Sequence, residues 1–113
     1  IPIVKWLREQ AAEGLVHADQ AGELVTHLGG HPSLGIGELL ETHKHDIADI
    51  LRESLAHEGY ARSLYEDLLA CVAGRSVMLE EYARTLIAEE EQHAGEVDKM
   101  LRAPGTLGAF GNA

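Results

Sequence analysis

Apolar residues recur at helical spacing along most of the chain, and at about 100° per residue, positions seven or eleven apart share one helix face. Three long helices follow from that pattern. The first runs from Pro2 to Leu28, with Trp6, Leu24 and Leu28 in phase; Pro2 suits a first turn and Gly29–Gly30 supply a stop. The second runs from Asp46 to Ala73, with Ile47, Leu51, Leu55, Tyr65, Leu69 and Val72 on one stripe and Gly74 closing it. Ser76 can cap the third, Val77 to Arg102. The short "GRS" turn forces the second and third helices to pack antiparallel. Between Gly29 and His45 lies a Gly-rich crossover with room for one helical turn. Residues 103–113, "APGTLGAFGNA", have no period and read as a flexible tail behind a single helical domain, 1–102.

Some polar residues keep the phase of the apolar stripes. Glu58 lies eleven after Ile47, seven after Leu51 and seven before Tyr65, so it faces the interior. Glu90 stands seven after Ala83 and seven before Val97, while His93 stands seven after Leu86 and seven before Met100. On the first helix His17 is eleven after Trp6 and seven before Leu24. Glu89, Glu91 and Glu96 fall out of phase and read as solvent charges. Burying an ionised carboxylate costs several kcal/mol unless it is paired. A cation would supply that partner. Oxygen and imidazole donors without thiolate suit iron, manganese or zinc, and the i, i+3 pair Glu90–His93 presents both donors on one face. The plainer alternatives are a solvated acidic face for Glu90 with a helix-surface His93, a core Glu58 paired with Arg62 or Arg84, and a core His17 satisfied by hydrogen bonding. Tyr60, Tyr65 and Tyr82 read as packing residues, with Tyr65 able to reach a carboxylate, and Cys71 as a small core filler.

Composition agrees with helices, because aromatics make up only 4% of a chain that is 45% hydrophobic. A net charge of −10 with nine basic residues argues against a nucleic-acid surface. One cysteine excludes a disulfide framework and fits a cytoplasmic location; no run of residues is apolar enough to cross a membrane.

"EEEQHAGEV" resembles the last-helix Glu-x-x-His motif of the ferritin-like di-iron proteins. "ESLAHEGYARSLYEDLL" resembles the preceding helix of bacterioferritin-type members, with Glu58 in the place of the metal-bridging glutamate. "HADQAGELVTHLGGHP" is similar to the end of their second helix and the start of their crossover, so the likeness covers about Arg8 to Leu101. It implies an all-α, ferritin-like antiparallel bundle that handles iron. Two ions would be bound at Glu58, Glu90, His93 and His17, with dioxygen as oxidant and ferroxidase activity possible in principle. Manganese or zinc fits the same donors.

Three departures qualify the likeness. The family's second helix carries Glu-x-x-His, but Gly14 stands three before His17; Glu13, four before, is the candidate substitute. Leu15 replaces a haem-binding methionine, which disfavours haem. The family's first helix has no counterpart, so the resemblance implies a fourth helix from another segment or chain and a homo-oligomer. The alternative reading is a ferritin-like assembly module that has lost its metal centre.

Overall fold

The computed structural model describes residues 2–39 and 42–102. The chain divides into two compact units, Ile1–Glu38 and Leu39–Ala113. Among the described residues there are three helices and no strand: α1 (Pro2–His27), α2 (Ile47–Val72) and α3 (Val77–Leu101). The all-α class read from the sequence is therefore the observed one, with helix ends displaced by at most one residue.

In the first unit, α1 runs unbroken for 26 residues through Gly14 and Gly22. Its stop is a Schellman motif: the Gly30 N–H donates to the Val25 carbonyl and the Gly29 N–H to the Thr26 carbonyl, both at 2.9 Å. That closure needs a left-handed residue, and Gly29 adopts φ 89° without the steric cost of a Cβ. The helical turn expected within the crossover is not found among its described residues, which are irregular. Leu40 and Glu41 lie outside the described residues, as does the expected tail from 103 onward.

The second unit is a helical hairpin in which α2 packs on α3. Asp46 caps α2 by accepting from the Ala48 N–H at 3.3 Å, and Ser76 caps α3 by accepting from the Leu79 N–H at 3.2 Å. At the turn Gly74 takes φ 74°, and its N–H donates to Glu80 Oε1. Arg84 holds the same Glu80 oxygen at 3.4 Å, so one carboxylate ties the turn to the first helical turns of α3. Glu58 meets His93 and Tyr65 meets Tyr82, so rising numbers on α2 oppose falling numbers on α3. The pair is antiparallel.

Leu51, Val72, Leu79, Ala83, Leu86, Ala94 and Val97 form the buried apolar core of the described residues. Burying one leucine or valine side chain stabilises by about 1.5–3 kcal/mol, so these residues fix the register of the hairpin. Two expectations fail here. Ile47, placed on the α2 stripe, is 57% exposed, because its antiparallel partner would lie at about the end of α3. Cys71 is exposed rather than a core filler: it lies about 100° around the axis from buried Val72.

A carboxylate–imidazole cluster in the hairpin

The phase of the sequence places three polar side chains within the hairpin core, and the packing brings them together. Glu58 on α2 is 8% exposed; on α3, Glu90 is 6% and His93 8% exposed. Glu58 Oε2 lies 3.7 Å and Glu90 Oε2 3.8 Å from the same atom, His93 Nδ1. Each of the three residues offers a ligand atom within 4.8 Å of the others. Glu90 and His93 share a face because three residues advance a helix by nearly one turn; Glu58 reaches them because the antiparallel register sets it opposite.

These separations exceed ordinary hydrogen-bond lengths. Donors sharing a central ion at about 2.0–2.2 Å stand roughly 3–3.5 Å apart, so a small rotamer change closes the three around one cation. Charge points the same way. Two ionised carboxylates beside one imidazole would carry net negative charge, which a buried site disfavours and a divalent ion offsets. The donor set, two carboxylates and an imidazole, suits iron, manganese or zinc.

The arginines weighed as partners for Glu58 are engaged elsewhere. Arg62 pairs with Glu66 at 3.3 Å, while Arg84 pairs with Glu81 at 3.0 Å and with Glu80. On α1, His17 Nε2 stands 3.8 Å from Glu13 Oε1, within the first unit. Gly14 sits beside that pair with nothing within 4 Å of where a Cβ would stand.

Of the glutamates read as solvent charges, Glu91 is exposed, but Glu89 and Glu96 are half-buried. One buried polar group escaped the phase test. Asp98, on α3, is buried and lies 3.5 Å from Arg102 Nε, an i, i+4 pair at the helix end. Its spacing four after Ala94 and four before an arginine carried the signal. Tyr65 meets Tyr82 edge-on, with ring centroids 6.4 Å apart. Burial raises the Tyr65 phenol above its ordinary value, and the Glu89 carboxylate adds to the rise. Burial likewise raises Tyr82, with Tyr65 contributing.

The fold and the cluster define a class of protein: all-helical, with carboxylate and imidazole groups buried together between adjacent helices. Within that class the chain belongs to the ferritin-like domain family, whose family model matches residues 2–104. No curated protein and no solved structure gives a significant match. Family and donor set together fit iron handling in general. No helix among the described residues is long and apolar enough to cross a membrane.

Proposed function

We propose that the chain is a bacterioferritin-type iron-handling protein that binds Fe(II), passes its electrons to dioxygen and holds or forwards the Fe(III) produced. The observation that carries this reading is the convergence of two buried carboxylates, Glu58 and Glu90, on His93 Nδ1. In this reading Glu58, Glu90 and His93 hold one ion, and His17 on α1 serves another. Iron is the substrate: two Fe(II) each give one electron to dioxygen, which leaves with two protons as hydrogen peroxide. The carboxylates favour this oxidation because anionic oxygen donors stabilise the more highly charged ferric product. Manganese or zinc would fit the same donors without the same redox outcome. The exposed, adjacent Tyr60 and Leu64 on α2 support a homo-oligomer that covers them, and we place the protein in the cytoplasm.

One observation favours a second reading. Gly14 removes the carboxylate three before His17, which suits a helical assembly module without a working centre. Anaerobic Fe(II) titration of metal-free protein, followed by admission of oxygen, separates the two. About two ions per chain with rapid oxidation are expected for iron handling, and Glu58→Gln should remove the ion of the hairpin cluster and the oxidation. No uptake and no oxidation would leave only the assembly reading.

A further inference from the structure

We propose that α1 pairs antiparallel with the α1 of a second copy of the chain, through an exposed seam on the side of the helix away from His17. The inference rests on the homo-oligomer reading and deepens it by naming an interface on a helix other than α2. Val4, Arg8, Ala11, Leu15, Ala18 and Gly22 follow one another at alternating spacings of four and three residues. That is the spacing of a coiled-coil seam. At about 100° per residue all six lie within roughly 40° of one direction, while Glu13 and His17 lie more than about 120° from it. Leu15 is 74% and Val4 48% exposed, and no residue of α1 is buried among the described residues. A contiguous apolar seam left uncovered in this way marks an association surface.

Self-complementarity decides the occupant. About a two-fold axis, position i meets position j and j meets i. An axis level with residue 13 sets Leu15 beside the partner's Ala11, Arg8 beside the partner's Ala18 and Val4 beside the partner's Gly22, a larger side chain against a smaller one at each level. Pro32 of the crossover lies 3.6 Å from where a Gly22 Cβ would stand, so the patch that meets Val4 is apolar. Along the flank of the seam, Val4, Lys5, Arg8, Glu9 and Ala12 line a groove of about 300 Å3, which receives the partner's Val16 in this register. Charge then sets the direction. Lys5 and Arg8 lie in the first half of α1, Asp19 and Glu23 in the second. Antiparallel pairing brings Lys5 near the partner's Glu23 and Arg8 near the partner's Asp19, whereas parallel pairing sets like charges together at both ends. Glu9 is the other neighbour of Lys5, at 4.0 Å with both side chains largely exposed, and a surface pair of that kind competes weakly.

Sedimentation equilibrium of the full, metal-free chain tests the pairing independently of iron. An assembly with an even number of chains is expected. Leu15→Glu places a charge at the middle of the seam and should weaken association at least about tenfold. Lys5→Glu should weaken it about threefold, and adding Glu23→Lys should restore it, a rescue that a misfolded variant would not show. Association lost in Tyr60→Glu but unchanged in Leu15→Glu would keep the homo-oligomer reading and overturn this interface. A chain monomeric at every concentration would overturn both. Failure of Glu23→Lys to restore what Lys5→Glu removes would overturn the antiparallel direction.

Discussion

The hairpin and α1 both present glutamate and histidine at helical spacing, yet they fix their donors by different means. In the hairpin, Glu58 belongs to one helix and Glu90 with His93 to another, so their meeting depends on tertiary packing around Leu51, Leu86 and Val97. On α1, Glu13 and His17 meet because one helix repeats, with no other element required. A site built by packing is only as well formed as the core beneath it, and a site built by one helix is only as well formed as that helix. Perturbations of core and helix should therefore affect the two groups of side chains differently.

The largest effect is expected from the core. Leu51 is buried on α2, two turns before Glu58 on the same face. Leu51→Ala should cost about 2–5 kcal/mol through lost transfer energy and the cavity left behind, measured by urea unfolding of the metal-free protein. Fe(II) binding at the cluster should weaken with it, because the α2–α3 register holds Glu58 near His93. Full Fe(II) affinity in a destabilised Leu51→Ala protein would show that the cluster does not depend on the core.

What the sequence disclosed follows the same division. Glu58, Glu90 and His93 were legible because each sits seven or eleven residues from apolar neighbours, and burial of a continuous stripe obeys that phase. Ile47 obeys the same rule and is nevertheless exposed, since phase records direction and not whether a facing element is long enough to cover it. Tyr65 was legible as an inward residue, but its edge-on contact with Tyr82 depends on the register between helices, which periodicity within one helix does not encode. Asp98 was hidden for a related reason: its burial is compensated by Arg102, a local pair that looks like any surface i, i+4 bridge in sequence.

A smaller effect, of opposite sign, is expected on α1. Gly14 lies mid-helix with open space where a Cβ would stand, so Gly14→Ala should stabilise by about 0.5–1 kcal/mol by restricting the unfolded chain. Its proof is a higher urea midpoint with Fe(II) binding unchanged. A lower midpoint would mean that something approaches α1 closely at residue 14, and that glycine is retained there for contact.

The smallest effect comes from the phenols, and it reports the hairpin alone because the chain's three tyrosines, Tyr60, Tyr65 and Tyr82, all lie on α2 and α3. Tyr65 and Tyr82 are raised from the ordinary value of 10.0. The folded state thus holds these protons more tightly than the unfolded chain does. By linkage, the resulting stabilisation is fully present below the unfolded value and is lost as pH climbs from there through the folded values. Melting temperature followed upward from about pH 8 should therefore fall in the alkaline range for a reason residing in the Tyr65–Tyr82 contact. Tyr65→Phe keeps the ring and removes the titrating hydroxyl, so its alkaline decline should be shallower. It should also relieve Tyr82, whose rise owes part of its size to the Tyr65 phenolate; the absorbance of the remaining phenols should then develop at lower pH. An unchanged decline and unchanged phenol titration in Tyr65→Phe would mean that the two rings are not held together in solution. The register placing Glu58 opposite His93 would then lose its second point of support along the hairpin.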